Sequence, residues 1–265
     1  MSRSATLWRP PPFIANPALR YAIYGGTLVY LALALGSIDV NWARVSEGLA
    51  RGGKFVAAFL HPNFTSRWDE IFIGMRESLT MALTATVAGI AMSLAIGLGA
   101  ARNLAPRPVY FVCRAVIAVS RSFQEVIIAI LFVAMVGFGP FAGFLTISVA
   151  TIGFLAKLLA EDIEDIDPGQ VEAIASTGAS WAQRVNYAVQ PQVMPRLIGL
   201  CLYRLDINFR ESAVVGIVGA GGIGATLNTA MARYDFDVAA AIILLIIAIV
   251  MATEYGSSLI RKRVQ

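Results

Sequence analysis

Long uncharged blocks separated by short polar segments dominate this chain. Residues 21–38 form an uncharged block of 18 residues, and residues 78–101 form one of 24. The apolar residues come in continuous runs and do not alternate with polar ones, as they would in a half-buried strand. A helix that crosses a membrane needs about 20 predominantly apolar residues. The pattern therefore predicts a membrane protein that crosses the bilayer several times, and each of these blocks predicts one span.

The longest uncharged block, residues 126–156, predicts two further spans. As one straight helix its 31 residues would extend about 46 Å, too long for a hydrocarbon core of about 30 Å. The residues at 137–140, Gly-Phe-Gly-Pro, indicate a turn inside the block. We predict one span that begins near 120–125 and another over 141–159. Residues 109–120 are predicted to form a helical lead-in, whose membrane depth stays open.

Residues 195–216 and 238–260 complete a set of six predicted spans. The predicted fold is therefore an all-α membrane protein with both termini on one side. Because both ends are basic, the positive-inside rule places them in the cytoplasm, and a loop over 161–193 with them. We expect the chain to lie in the cytoplasmic (inner) membrane.

Residues 39–77 are mixed in character. Apolar residues recur at helical spacing between residues 42 and 60, which favours an interfacial amphipathic helix, although a loop with a short helix explains the segment nearly as well. We predict two parts of the chain: an N-terminal span with an external interfacial segment, 1–77, and a core transmembrane domain, 78–265, which includes the cytoplasmic loop 161–193.

Composition narrows the function classes. Hydrophobic residues make up 57% of the chain and charged residues 14%, against about 25% charged in soluble domains. This balance argues against a soluble enzyme and a nucleic-acid-binding domain. With one histidine, His61, and two isolated cysteines, Cys113 and Cys201, the chain predicts no metal site and little means of acid–base catalysis. No Walker A motif occurs, so any ATP would be bound by another chain.

The polar break after the fourth span carries a spaced motif. Glu172 and Ala173 are followed by Gly178, and Pro191 lies thirteen residues after that glycine. Small residues here would let a short helix approach a partner's groove closely. An ordinary amphipathic connecting helix would explain the small residues but not the spacing. The motif resembles the EAA loop of permease subunits in ABC importers, with departures at Ile174, Ala188 and Gln190.

This resemblance, over about residues 75–260, implies the type I importer fold and a set of partners. They are a second copy of the permease, two ATPase subunits that carry Mg-ATP, and an extracytoplasmic phosphonate-binding protein. The permease itself would bind no cofactor and catalyse no reaction. The loop would form a coupling helix on the ATPase, with the contact residues Glu172, Ala173, Ser176, Gly178, Ala179 and Pro191.

Charged residues within the fifth predicted span narrow the substrate. The segment 208–212 and the glycines after it resemble phosphonate permeases, although methionine importers share the glycine segment. Charges inside a span are costly and are candidates for function. The candidates for the translocation pathway are Arg204, Asp206, Asn208, Arg210, Glu211 and Ser212. Helical spacing places Arg204, Asn208 and Glu211 on one face and pairs Asp206 with Arg210 on another. These residues either line the path or form ion pairs that hold the bundle together.

Residues 219–224 fit the pattern G-x-G-x-x-G, but they lie between two spans and lack the strand that a dinucleotide fold requires. We interpret the segment as flexible or closely approached backbone. Its glycines are Gly216, Gly219, Gly221, Gly222 and Gly224.

The sequence thus predicts an ABC importer permease for phosphonate or a related oxyanion. The alternatives are a methionine, phosphate or phosphite permease, or a stand-alone secondary transporter.

Overall fold

The structure, a computed structural model, describes residue 14, residues 16–38 and residues 41–264, with side chains as far as residue 259. The basic residues Arg3, Arg9 and 261–263, on which the predicted orientation partly depends, lie outside the described side chains. The described chain is helical, and its helices are α1 Pro17–Gly36, α2 Trp42–Ala58, α3 Trp68–Ala100, α4 Arg107–Ser122, α5 Glu125–Val136, α6 Pro140–Glu164, α7 Pro168–Ser176, α8 Trp181–Arg184, α9 Gln190–Val215, α10 Gly222–Ala232 and α11 Phe236–Val264.

The chain divides into two units, residues 1–53 and 54–265. In the first unit, α1 is apolar and none of its residues is buried. A helix that is apolar on all sides needs an apolar environment around it, which agrees with its prediction as a span. Residues 42–58 form the helix α2, as the apolar spacing predicted.

Helices α3 and α6 pack side by side and run in the same direction. Gly89 of α3 lies against Thr151 of α6, and Gly97 lies two turns further along against Leu159. A Cβ atom at Gly89 would come within 2.5 Å of the Thr151 Cβ, so the missing side chain is what permits this approach. Because the two helices are parallel, both begin at the same end of the bundle.

Helices α4 and α5 return the chain between these parallel helices. They form one broken span, bent by 96° between Ser122 and Glu125. The predicted helical lead-in over 109–120 lies within α4, and the chain turns sharply after it before the third span continues as α5. The physical reason is packing on α6: the Ser120 hydroxyl donates to the Val149 carbonyl over 2.6 Å, and Gly153 lets α4 approach closely at this point.

The fifth span is also broken. Helix α9 passes through a π-helical turn, Gly216–Ala220, into α10, which is bent by 58° from the segment before it. Helix α10 runs antiparallel to α3, since Gly222 lies beside Ser78 and Thr226 lies beside Gly74. Within the described residues, four helices are long and apolar enough to cross a membrane, and the two bent pairs raise the number to six. The predicted all-α membrane fold is confirmed.

Contacts between connecting segments identify the two ends of the second unit. At one end Asn63 bonds Asp237 over 3.1 Å, next to an ion pair between Arg67 and Asp235. At the other end the Asn103 side chain donates to the Ile163 carbonyl over 2.7 Å. The segment 161–193 thus lies at the same end as the connector between α3 and α4.

Candidate functional site

A buried ion pair lies at the centre of α9. The Arg204 side chain is 3% exposed, and its Nη2 and Nη1 atoms donate to the two carboxylate oxygens of Glu211 over 2.9 and 3.2 Å. Its Nε atom donates to the Thr151 hydroxyl over 3.1 Å, and the guanidinium carbon lies 5.5 Å from the centre of the Phe154 ring. Two carboxylate bonds and a hydroxyl bond leave this guanidinium well satisfied, as a buried cation requires.

Asn208 joins three helices one turn further along. Its amide donates to the Thr86 hydroxyl of α3 over 2.7 Å and to the Thr151 hydroxyl of α6 over 3.1 Å. The side chain is completely buried, and so is that of Ser212, whose hydroxyl donates to the Phe209 carbonyl of its own helix. The shared face predicted for Arg204, Asn208 and Glu211 is confirmed, and it is directed into the bundle.

Asp206 and Arg210 form the predicted i,i+4 ion pair, with 2.7 Å between Oδ2 and Nη2. The Asp206 carboxylate is 7% exposed and also accepts a bond from the Thr253 hydroxyl of α11 over 3.1 Å. The Arg210 side chain, in contrast, is 52% exposed. The two arginines among the predicted pathway residues therefore differ in exposure, because Arg204 is buried and Arg210 is half-exposed.

A cavity of about 240 Å³ lies where α4 and α5 meet at their bend. We call it the break cavity; the residues around it are Ser120, Arg121, Phe123, Gln124, Glu125, Ala150, Phe154 and Arg204. Glu125 lies 3.6 Å from Arg204 Nη2 and is 34% exposed. Glu125, Arg121 and Gln124 were not among the candidates predicted from the sequence, because this polar cluster marks the boundary of a predicted span. The feature of the sequence that could have identified these residues is the cluster itself, because three polar side chains lie where a predicted span begins.

The coupling motif lies on the short helix α7 and the turn after it. Asp167 caps the helix, since its carboxylate accepts the Gly169 N–H over 2.9 Å. Glu172, Ala173 and Ser176 are exposed, and Glu172 has no ion-pair partner among residues whose side chains are described. The helix ends at Ser176, and Gly178 follows in a left-handed conformation with φ +77°. Glycine at this position ends a helix without steric cost.

Two contacts hold the segment around α7 and α8 to α9 and to the connector between α3 and α4, and a third contact beside them joins α6 to α9. The Asp167 N–H donates to the Gln192 side chain of α9 over 2.9 Å, and the Trp181 indole N–H donates to the Leu104 carbonyl over 3.3 Å. Arg196 pairs with the buried Asp162 over 2.9 Å. Ala179 is half-buried, and Pro191 lies in the first turn of α9. A movement of α7 would therefore be transmitted to α9 and to the connector between α3 and α4.

The glycine segment is packed closely. Gly219, Gly221 and Gly222 have φ of 98°, 75° and 73°, and a Cβ atom at Gly224 would overlap the Ala213 carbonyl, close to Gly216. The free N–H groups at the start of α10 are bound by α3, because Gly222 donates to Glu77 over 3.0 Å and Ile223 to Ser78 over 2.9 Å. Close approach, one of the two predicted interpretations, describes this geometry.

No cluster of three or more histidine, cysteine, aspartate or glutamate side chains that could hold a metal ion occurs among the described residues. The charges of α9 are instead arranged as ion pairs and hydrogen bonds between helices. Such an arrangement can hold helices in register and leave the guanidinium groups of Arg196 and Arg210 exposed.

Comparison with known proteins identifies the family. Residues 93–265 match the family model described as binding-protein-dependent transport system inner membrane component. The phosphate-import permease protein PhnE of Mycolicibacterium smegmatis is 44% identical over 203 residues, which are 76% of this chain and 38% of that protein. The phosphite transport system permease protein PtxC of Stutzerimonas stutzeri is 40% identical over 244 residues, 91% of this chain and 87% of that one.

A solved structure of the MetNI methionine ABC transporter, in an inward-facing conformation, has the same fold. The TM-score is 0.67 at 22% identity, and the match covers 76% of this chain and 99% of the other. The stand-alone secondary transporter that the sequence left open does not agree with these matches. This chain belongs to the family of binding-protein-dependent transport system inner membrane components, the permease subunits of ABC importers.

Proposed function

We propose that this permease imports a phosphorus oxyanion, namely a phosphonate, phosphite or phosphate. Two relatives that are 40% and 44% identical carry the names of phosphite and phosphate permeases, which supports this substrate class. The charged segment 208–212, which resembles that of phosphonate permeases, agrees with the same substrate class. In this proposal two copies of the chain act with two ATPases and an external binding protein in the cytoplasmic membrane, and both termini lie in the cytoplasm.

The observation that carries the proposal is the open side chain of Arg210 on a membrane helix. Placing an arginine at the bilayer centre costs about 2.5–3.5 kcal/mol on insertion scales. The half-exposed Arg210 therefore faces water or a second copy of the chain, and Asp206 orients it from one side. Arginine suits an oxyanion because its planar fork matches the geometry of phosphate oxygens. We assign this open face of α9 to the translocation pathway.

We assign Arg204, Asn208 and Ser212 to a brace that holds the bundle. Each of the three is buried and engaged by hydrogen bonds. The Arg204 guanidinium binds Glu211 of its own helix and Thr151 of α6, and these bonds hold α9 against α6. Of the two roles left open by the sequence, we assign the structural one to these buried contacts, and we assign a transport role to Arg210.

We further propose that α7 is the coupling helix. Its exposed face, with Glu172, Ala173 and Ser176, would contact the ATPase, and Gly178 would set the turn that follows. Closure of the ATPases on ATP would move α7, and the contacts of Gln192 and Trp181 would pass the movement to the membrane helices.

The substrate class is tested by uptake in cells that contain or lack this chain. Radiolabelled 2-aminoethylphosphonate, phosphite and phosphate are supplied in turn, each with the other two and methionine as unlabelled competitors. We expect uptake of at least one phosphorus oxyanion to require the chain and to resist methionine. Methionine uptake that requires the chain, with all three oxyanions unaffected, would overturn the substrate and leave the family assignment in place.

A further inference from the structure

We infer that the break cavity is a transient binding site for the transported oxyanion, and that the oxyanion there takes the place of the Glu125 carboxylate beside Arg204. The inference rests on the proposed function and extends it to residues that the translocation candidates did not include. It makes Glu125 a carboxylate that competes with the solute inside the membrane domain.

The two carboxylates beside Arg204 are held unequally. Glu211 makes two hydrogen bonds to the guanidinium, at 2.9 and 3.2 Å, and its side chain is 15% exposed. Glu125 lies 3.6 Å away, beyond hydrogen-bonding distance, and is 34% exposed. Of the two, Glu125 is the anion that can leave without breaking a hydrogen bond to Arg204.

The break cavity holds groups that bind an oxyanion. Arg121 forms no ion pair with any other described side chain, and its aliphatic stem lies against Gly153, whose Cβ atom would come within 3.0 Å of the Arg121 Cγ. Gln124 also lines the cavity, and a side-chain amide can donate hydrogen bonds. The cavity is open on one side, and its volume of about 240 Å³ leaves room for a small anion. These features fit a small tetrahedral anion.

Charge balance explains why binding would be transient. Arg204 lies between the carboxyl groups of Glu125 and Glu211, and Arg121 lines the same cavity. An arriving oxyanion adds negative charge unless Glu125 turns toward the open side of the cavity. Because the departing carboxylate stays tethered, it can return and displace the oxyanion. Such an exchange avoids the tight anion site that would hinder release.

The test measures oxyanion binding by the assembled permease and ATPase complex in lipid nanodiscs, without the binding protein. Radiolabelled orthophosphate and 2-aminoethylphosphonate are the probes. We expect Glu125→Gln to bind at least one probe about fivefold more tightly, the factor that corresponds to about 1 kcal/mol. Arg121→Gln should bind that probe about fivefold more weakly. Asp69→Asn, which removes an exposed carboxylate at the start of α3, is the matched control and should bind as the unaltered complex does.

Three results would overturn the inference: no binding of either probe by the unaltered complex at millimolar concentration, unchanged or weaker binding in Glu125→Gln, or unchanged binding in Arg121→Gln. Size-exclusion profiles check that each variant is assembled, and Arg121→Gln keeps the test valid if Glu125→Gln does not fold. If the binding test fails but oxyanion uptake in cells still requires the chain, only this binding site is ruled out. If oxyanion uptake in cells does not require the chain, the proposed function itself is ruled out.

Discussion

Arg204 and Glu211 lie two helical turns apart on α9 and still form a bidentate ion pair, with hydrogen bonds of 2.9 and 3.2 Å. The pair is buried, and Thr151 of α6 binds the same guanidinium. Arg210 is only six residues from Arg204 in sequence but is half-exposed. One helix thus separates a charge that holds the bundle from a charge that is open to a solute or a partner.

Breaking the buried pair should destabilise the protein strongly. Arg204→Gln leaves the Glu211 carboxylate buried without its cation, and we expect a loss of about 3–5 kcal/mol in the free energy of unfolding. Replacing both residues with Met and Leu should recover most of that loss. Chemical denaturation followed by tryptophan fluorescence measures both variants, with Arg51→Gln, which breaks an exposed ion pair with Glu47, as the control. If Arg204→Gln were as stable as the unaltered protein, the proposed role of Arg204 in holding the bundle together would be contradicted.

The contact between α3 and α6 should not tolerate a side chain at Gly89. Gly89→Ala would bring a methyl group within 2.5 Å of Thr151, and we expect a loss of about 1–3 kcal/mol from overpacking. Gly25→Ala is the matched control, because nothing lies within 4 Å of a Cβ atom at that residue of α1. Thermal unfolding in detergent compares the two. Equal stability of both variants would mean that α3 and α6 are not packed as described.

Changes in the coupling motif should separate ATP hydrolysis from uptake. Glu172→Gln removes an exposed charge, and Gly178→Ala strains a residue with φ +77° by about 1–2 kcal/mol, although its surroundings are open. We expect uptake to fall several-fold in each variant, while membrane insertion and basal ATPase activity persist. Gln170→Ala, on the same exposed helix, is the control. Normal uptake by both coupling variants would rule out this role for α7.

The junction between α3 and α10 should depend on Ser78. Its hydroxyl accepts the Ile223 N–H over 2.9 Å, and loss of such a helix cap typically costs about 1 kcal/mol. We expect Ser78→Ala to lower the unfolding temperature measurably. Thr80→Ala should change it less, because the Thr80 hydroxyl bonds only the Arg76 carbonyl of its own helix. If Thr80→Ala lowered the unfolding temperature more than Ser78→Ala did, the contact between α3 and α10 would be contradicted.

Hydropathy predicted six spans, and the described helices supply four, or six when each bent pair counts as one span. Hydropathy did not predict the shape of these spans. It began the second span at residue 78, whereas α3 begins at Trp68, because the first turns of the helix carry charges that hydropathy excludes. The 96° bend between α4 and α5 depends on how Ser120 fits against Gly153 of α6, and no pattern along the sequence records that contact.

The candidate site was predictable in part. Helical spacing alone assigned Arg204, Asn208 and Glu211 to one face and paired Asp206 with Arg210, because these relations lie within one helix. The spacing did not show which face is enclosed, since α3, α6 and α11 decide that. Glu125 was missed for a related reason: it meets Arg204 across 79 residues of sequence, and only the bend brings the two together.

The most direct test asks whether the positive charge at residue 210 serves the transport path. Arg210→Cys is made in a chain whose own Cys113 and Cys201 are replaced by serine, and uptake of the identified oxyanion is measured before and after treatment with charged thiol reagents. We predict that uptake is lost, that a cationic methanethiosulfonate restores part of it, and that an anionic one does not. Phe209→Cys, at a buried position, should not react. Full uptake by the untreated Arg210→Cys chain would contradict the account.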